Sequence, residues 1–278
     1  MTALVIIYGN CQAQVLGAMS SGLFDSHYEF VHIPSVASIT ALALPDDAFA
    51  RCNILLEQVG ATQSFPFLDR LPPGVRIIRF PPLNLLALWP FTCADPRNRP
   101  EPPEFPFGRY PYGDRIALQI WEQGLRGPDA VANYAEASSR ALPDTNRLLQ
   151  MEFKRFELIE TGCDVKISDY LRQNIRLNRL FYTYNHPTMK LIHILFKRIW
   201  QTIEYDKVTS LHRLLDEHQT RFLSDGNSWR PFENHQQPIF PQLARDLNLE
   251  WWGEDIRYFD ARAGKMATHD EFFESYLS

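Results

Sequence analysis

The sequence predicts an α/β protein that has an open, mainly parallel sheet in its N-terminal part and a largely helical C-terminal part. Over roughly the first 90 residues, short apolar runs rich in β-branched residues alternate with segments of helical spacing, which is the pattern of parallel strands joined by helices. From residue 114 onward, apolar residues recur three and four positions apart, as they do on one face of a helix.

The first predicted strand is the run LVIIY at residues 4–8, which is apolar without alternation, as in a parallel strand covered on both faces. Helical spacing follows in QAQVLGAMSSGLF, where Gly22 is the expected end of the helix. Three later runs, YEFVHIP, ARCNILLEQVG and VRIIRFP, have the composition of strands. The N-terminal part therefore has four predicted strands.

Residues 80–113 differ in character, because they are dense in proline and aromatic residues. Such a segment cannot continue a strand or helix for long, so we expect an ordered irregular loop. The loop is either a surface excursion without a role or a wall over a site, and its aromatic residues favour the wall. We assign residues 1–113 to the α/β region and residues 114–278 to a mainly helical region that completes the same site within one integrated domain.

Several helices are predicted after the loop. Their sequences are ALQIWEQGL, VANYAEASSRAL, residues 144–160, ISDYLRQNIRLNRLF and PTMKLIHILFKRIWQTIEY. In the last of these, Pro187 is expected in the first helical turn.

The composition excludes several classes of function. A formal charge of -5 and an isoelectric point near 5.9 argue against a general nucleic-acid binder, which carries an excess of basic residues. The four cysteines form no CxxC pair or Cys/His cluster, so we expect no disulfide framework and no metal site. We expect a reduced, cytoplasmic protein without a signal peptide or a membrane-spanning helix.

The stretch that carries chemistry is YGNCQ, at the carboxyl end of the first predicted strand. Ligands of open α/β sheets bind at that edge, beside a switch in strand order. Gly9 permits a sharp turn and a close approach of a ligand to the backbone. If a helix begins at Asn10 or Cys11, its free N–H groups and dipole favour an anion there and should lower the pKa of the Cys11 thiol.

This position suits acyl transfer, with Cys11 as the nucleophile. The N–H groups at the helix end, with the amides of Asn10 and Gln12, would hold the oxyanion of the intermediate. A plainer interpretation makes Cys11 a small buried filler and Asn10 a helix cap. The two flanking amides and the place at the functional edge favour the first interpretation.

Acyl transfer also needs a base. Of the eight histidines, His186 stands at an element junction, after the run RLFYTY and directly before Pro187. Because a following proline favours extended geometry, the imidazole can project from a strand or loop end into a cleft. The alternative is that Asn185 and His186 only cap a helix.

Three stretches together resemble the WcbI-like family of bacterial capsular polysaccharide biosynthesis proteins, which are regarded as acetyltransferases. They are YGNCQ, FPPLNLLALWPF and FKRFELIETGCDVKISDYLRQNIRLNRLFYTYNHPT. The stretch PIFPQLARDLNLEW also resembles the C-terminal part of the family. The similarity reaches both halves of the chain, and GNCQ followed by ISDYL, RLF and NHP in that order is more specific than GNCQ alone.

The resemblance implies an α/β fold, flavodoxin-like in type and distantly similar to SGNH hydrolases. It also implies a coenzyme A site and transfer of an acetyl group from acetyl-CoA to a sugar hydroxyl. The residues that match family motif positions are Gly9, Asn10, Cys11, Gln12, Asn185 and His186, and less closely the pair Arg155 and Glu157.

The chain departs from the SGNH pattern in one respect. That pattern has an Asp shortly before the catalytic His, and no Asp lies just before His186. The group that orients the imidazole is therefore left open between Asp169, Asp114 and a backbone carbonyl.

On this resemblance, acetyl-CoA binds at the strand ends, with its phosphates near helix N-termini and basic side chains. The candidates for the phosphates are Arg155, Arg176, Arg179 and Lys190. Either Cys11 takes the acetyl group as a thioester, or His186 deprotonates the sugar hydroxyl for direct attack.

Two other functions use the same residues. One is a thioesterase or sugar-ester hydrolase with the same Cys11 and His186 pair. The other is a non-catalytic CoA or sugar-nucleotide binding protein. In each case the expected partners are small molecules, CoA and a sugar or glycan acceptor, together with peripheral contact with the polysaccharide assembly machinery.

Overall fold

The computed structural model describes residues 3–24, 27–35, 46–60, 64–203, 213, 215–217 and 232–278. The chain forms two compact units. Unit 1 comprises Met1–Leu83, Lys154–Leu171 and Met189–Arg230, and unit 2 comprises Asn84–Phe153, Arg172–Thr188 and Pro231–Ser278. Stretches from both predicted regions enter each unit. The single integrated domain stays a prediction.

Unit 1 is built on a four-stranded sheet in which all neighbouring strands are parallel. The strands are β1 (Ala3–Gly9), β2 (Tyr28–Pro34), β3 (Cys52–Gln58) and β4 (Arg76–Phe80). Their order across the sheet is β2-β1-β3-β4. The strands lie where the four apolar runs predicted them, and the α/β fold class is confirmed.

The helices of the described residues are mostly in the second half of the chain. In chain order they are α1 (Cys11–Phe24), α2 (Asp46–Ala50), α3 (Arg115–Glu122), α4 (Gly127–Ala141), α5 (Thr145–Glu160), α6 (Ser168–Asn174), α7 (Met189–Ile203), α8 (Pro241–Asp246) and α9 (His269–Leu277). Across the described part of the chain, no helix combines the length and the apolar character needed to cross a membrane.

Two predicted helix ends are wrong. Helix α1 continues past Gly22 to Phe24, because the Phe24 ring is buried against Trp200, with 3.9 Å between ring centroids. Pro187 is outside the first turn of α7, since it pairs with Phe181 in a short antiparallel ladder and the helix begins only at Met189.

Unit 2 contains three short antiparallel pairs instead of a central sheet. They join β5 (Thr92–Cys93) to β6 (Gly113–Asp114), β7 (Phe181–Thr183) to β8 (His186–Pro187), and β9 (Tyr258–Asp260) to β10 (Lys265–Ala267). Helices α3, α4 and α9 pack together beside them, where the rings of Tyr134 and Phe273 stack at 4.1 Å.

An ordered loop joins β5 to β6, as the proline content predicts. It is fixed by Asp95, which is buried and accepts hydrogen bonds from three nitrogens of Arg97, the backbone N at 2.9 Å, Nε at 3.0 Å and Nη2 at 2.8 Å. The hydroxyl of Tyr276, on α9, donates a fourth bond to Asp95 at 2.5 Å. The guanidinium of Arg97 also lies 4.0 Å from the centre of the Tyr110 ring. The C-terminal helix and the loop are therefore held as one cluster.

Candidate active site

The order in which strands are added to the sheet of unit 1 reverses at β1. The chain leaves β1 to form β2 on one side and then returns to form β3 on the other side, which makes a switch point at the carboxyl ends of β1 and β3. Gly9 is the last residue of β1 and Cys11 is the first residue of α1. The YGNCQ stretch thus occupies the edge at which open parallel sheets bind ligands.

Gly9 is required by close packing. A Cβ atom on this residue would lie 2.7 Å from the Cβ of Ala13 and 2.8 Å from both the Cβ and Oε1 of Gln58. The Gly9 carbonyl accepts a hydrogen bond from the Ser35 amide at 2.9 Å and lies 3.3 Å from Nε2 of His32. No larger residue fits here without moving the strand ends.

Asn10 caps helix α1. Its Oδ1 accepts the Gln12 backbone N–H at 2.9 Å, the usual bond of an N-cap residue. Its own backbone N–H donates to Oε1 of Gln58 at 3.0 Å. The plainer interpretation of Asn10 as a cap is thus correct, and its Nδ2 has no protein partner among the residues that the structure describes.

The side chain of Gln12 has a different task from the predicted one. We expected its amide to help hold an oxyanion, but Gln12 is fully buried. Its Nε2 donates to the Leu83 carbonyl at 2.7 Å, and its Oε1 accepts the Leu83 N–H at 2.9 Å and Nε2 of Gln58 at 3.1 Å. These bonds connect the ends of β1 and β3 to the chain that follows β4.

Cys11 is exposed, so the interpretation of this residue as a buried filler is wrong. The expected fall in its thiol pKa is also wrong. Partial loss of solvation raises the pKa above the ordinary 9.0, and the N–H groups of Gln12 and Cys11 only partly oppose this change. At neutral pH the residue is therefore a thiol that needs a base before it can attack.

His186 is held by a tight hairpin in unit 2. The Thr183 hydroxyl accepts the His186 backbone N–H at 3.2 Å and donates to Oδ1 of Asn185 at 3.0 Å. His186 begins β8, which agrees with the extended geometry expected before a proline and not with a helix cap.

The ring of His186 lies among other rings. The Tyr112 hydroxyl is 3.1 Å from both Nδ1 and Nε2, so it does not favour one nitrogen over the other. Phe232 stacks on the imidazole at 4.7 Å, and the His235 ring is 5.6 Å away. Burial, with a smaller contribution from His235, lowers the pKa of His186 to about 3. The imidazole is therefore neutral at physiological pH.

Neither carboxylate proposed to orient this imidazole does so in the described residues. Asp169 bonds Arg198 through both oxygens, at 2.5 and 2.9 Å. Asp114 caps α3 and accepts a hydrogen bond from the Tyr134 hydroxyl at 3.0 Å. The side chain that contacts the imidazole nitrogens is Tyr112. Sequence reasoning missed it, since the only signal was the density of aromatic residues in the loop.

Two of the four basic candidates carry no ion pair within the described residues. Arg176 donates to Oδ1 of Asn146 at 2.8 Å, and Arg179 donates to Oε1 of Gln236 at 2.9 Å. Burial lowers the pKa of Arg179, and the nearby Tyr258, Tyr182 and Glu233 oppose this change only in part.

The other two candidates lie in unit 1. Arg155 is on α5, with its guanidinium 4.8 Å from the Phe156 ring, and Lys190 is in the first turn of α7. In the described ranges, no group of three or more His, Cys, Asp or Glu side chains is arranged to hold a metal ion.

The sequence profile of the family described as polysaccharide biosynthesis enzyme WcbI matches residues 4–208. The chain belongs to the WcbI family. The predicted resemblance is confirmed.

A solved WcbI structure has a TM-score of 0.70 and 21% sequence identity, with 100% of this chain and 91% of that chain covered. It is described as native WcbI, a polysaccharide biosynthesis enzyme, without a disulfide bond between CoA and one of its cysteines. At this identity the similarity shows the fold. No curated protein matches the sequence significantly.

Proposed function

We propose that this WcbI-family protein is a CoA-dependent O-acyltransferase, which moves an acetyl group from acetyl-CoA to a sugar hydroxyl in capsular or exopolysaccharide synthesis. The observation that carries the proposal is an exposed cysteine, Cys11, at the amino end of α1 and at the switch point of the sheet. The family name supports a role in polysaccharide synthesis. The description of the solved WcbI protein names CoA together with a cysteine, which supports CoA as the donor.

Arg176 and Arg179 fit the phosphates of CoA. Each guanidinium has a buried Nε without a hydrogen-bond partner among the described residues, and each donates from Nη2 to a neutral amide oxygen. A planar guanidinium group can donate two parallel hydrogen bonds to two oxygens of one phosphate. The roles of Arg155 and Lys190 rest on the family resemblance alone.

In the covalent route, the Cys11 sulfur bonds to the carbonyl carbon of the acetyl group and the carbon–sulfur bond to CoA breaks. CoA leaves with the proton of the Cys11 thiol. The sugar oxygen then displaces Cys11, and the sugar proton returns to the sulfur. His186, assigned as the base, carries the proton in both steps.

In the direct route, His186 takes the proton of the sugar hydroxyl while the sugar oxygen bonds to the carbonyl carbon of the acetyl group. The carbon–sulfur bond to CoA breaks, and CoA leaves as a thiol after accepting that proton. Nδ2 of Asn10 is the amide we assign to the oxyanion in both routes. Because the Cys11 pKa is raised and the His186 pKa is lowered, neither route starts from a thiolate–imidazolium pair.

The covalent route is tested by rapid mixing with acetyl-CoA in the absence of a sugar. We expect a burst of free CoA, close to one per protein, that Cys11→Ala abolishes. Cys163→Ala is the matched control, since burial raises the pKa of that half-buried thiol to about 12. A sugar-acetylating enzyme without a burst would contradict the covalent route and leave the direct one.

The reaction class is tested by adding sugar acceptors. Transfer predicts that product forms only with the acceptor and that His186→Ala reduces its formation at least a hundredfold. Since Cys11 is exposed, water can reach this sulfur, which makes a thioesterase or ester hydrolase the second candidate. CoA release that ignores the acceptor would establish the hydrolase. Thermal stabilisation by CoA without any turnover would establish a binding protein.

The four cysteines are all free, which supports a reducing location such as the cytoplasm. We therefore place the protein there, in peripheral contact with the polysaccharide assembly machinery.

A further inference from the structure

Unit 2 carries a set of aromatic rings centred on His186, and the reaction scheme uses none of them except His186 itself. We call this set the aromatic platform; its members are Phe107, Tyr112, Tyr184, His186, Phe232 and His235. All six belong to stretches of unit 2, so the platform is described within that unit alone.

Most rings of the platform meet edge to face. The centroids of Phe107 and His235 are 6.2 Å apart at 69°, and those of Tyr112 and His186 are 5.5 Å apart at 77°. In an edge-to-face pair the edge of one ring points at a face of the other, so the ring that contributes its edge keeps its own faces open to other contacts. Phe107 is 69% exposed, so its ring is accessible to a ligand in addition to its contact with His235.

The loop holds Phe107 in place. Asn98 donates from Nδ2 to the Phe107 carbonyl at 2.9 Å, and its Oδ1 accepts the Tyr110 N–H at 2.9 Å. Between them, Gly108 has a φ of 88° and leaves no room for a side chain, because a Cβ atom would be 1.9 Å from Oδ1 of Asn98. These contacts fix the backbone on both sides of Gly108, so an ordered turn presents the Phe107 ring.

We propose that the platform binds the pyranose ring of the acceptor sugar, which stacks on Phe107 beside Tyr112 and His235 and presents a hydroxyl to His186. This inference rests on the proposed function. One face of a pyranose carries only C–H groups and is removed from water by an aromatic face. The polar atoms at its edge need partners, which the Tyr112 hydroxyl and the two imidazoles provide.

The adenine of CoA is a poorer match for the same rings. In acetyl-CoA the thioester is at the far end of a long pantetheine arm from the adenine. If His186 acts on the reacting atoms, the group beside it is the acceptor, and the adenine lies elsewhere.

The test compares Phe107→Ala and Phe107→Tyr with the wild type. The acceptor probes are methyl glucopyranoside, methyl galactopyranoside and methyl mannopyranoside, and glycerol is the hydroxyl compound without a ring. We expect Phe107→Ala to raise the KM of the preferred glycoside about tenfold, with the KM values of acetyl-CoA and glycerol changed less than twofold. Phe107→Tyr keeps an aromatic face and should restore the wild-type KM.

Met266→Ala is the matched control, since Met266 is 47% exposed in the same unit and outside the platform. An unchanged glycoside KM in Phe107→Ala would overturn the inference, and so would a rise in the KM of acetyl-CoA alone. If the wild type transfers no acetyl group, the proposed function fails separately. Saturation-transfer NMR with the same glycosides then tests sugar binding by the platform directly. We expect a saturation-transfer signal on the pyranose protons with the wild type, and we expect Phe107→Ala to lose it.

Discussion

Replacement of Gln12 by leucine tests whether its buried amide holds the strand ends together. Leucine has nearly the same volume and keeps the helix. It removes all three hydrogen bonds that join the Gln12 side chain to Leu83 and Gln58. The Leu83 N–H, the Leu83 carbonyl and Nε2 of Gln58 then lose their partner in a fully buried position.

The expected loss follows from these three bonds. A hydrogen bond of this kind contributes about 1 kcal/mol to the free energy of unfolding, and a buried group left without a partner costs about 1–3 kcal/mol. Since leucine gains some hydrophobic burial, we expect Gln12→Leu to lower the free energy of unfolding by about 2–4 kcal/mol.

The assay is urea denaturation followed by far-UV circular dichroism, with the midpoint compared at constant slope. Gln14→Leu is the control, because Gln14 is exposed on the same helix and surface changes alter the free energy of unfolding by less than about 0.5 kcal/mol. Equal midpoints for the two variants would refute the role of the amide network. A parallel measurement of Cys11 alkylation shows whether the turn moves as well.

Two further predictions concern carboxylates. Burial raises the pKa of Asp114 from 3.8 to about 6. The favourable contribution of this carboxyl group to the free energy of unfolding is therefore complete below pH 4 and is lost as the pH rises through about 6. In urea titrations Asp114→Asn should remove about 3 kcal/mol of this pH dependence, and an unchanged profile would contradict the burial effect. Glu160 is buried and accepts hydrogen bonds from the Ile167 and Ser168 N–H groups and from the Ser168 hydroxyl. Glu160→Ala should lower the free energy of unfolding by about 2–4 kcal/mol in urea denaturation. The control is Glu157→Ala, at an exposed acidic residue of α5, which should change it by nearly nothing.

The sheet could be predicted because its signal is local. Each strand of unit 1 is a short apolar run, and Gly9 followed by Asn10 and Cys11 marks the end of the first one. The position of Cys11 at a switch point then follows from the general behaviour of open parallel sheets. The family resemblance came from the order of motifs along the chain, which needs no structure.

The contacts of the site could not be predicted, since they depend on distant residues. Gln12 is hydrogen-bonded to Leu83, 71 positions away in the sequence, and the hydroxyl of Tyr112 contacts His186, 74 positions away. No local pattern indicates that the glutamine of the motif is buried, or that the hydroxyl of Tyr112 contacts the imidazole of His186. The predicted direction of the Cys11 pKa shift was wrong for a related reason, because the loss of solvation depends on the packed structure.

The bond between Asp95 and Tyr276 joins residues 181 positions apart. At the usual speed of protein synthesis, the ribosome needs roughly 9–36 s to add that many residues. During this interval the nascent chain exposes a proline-rich, aromatic segment whose carboxylate has not yet met its tyrosine. The cluster that fixes the loop of unit 2 can therefore form only after Tyr276 has been synthesised.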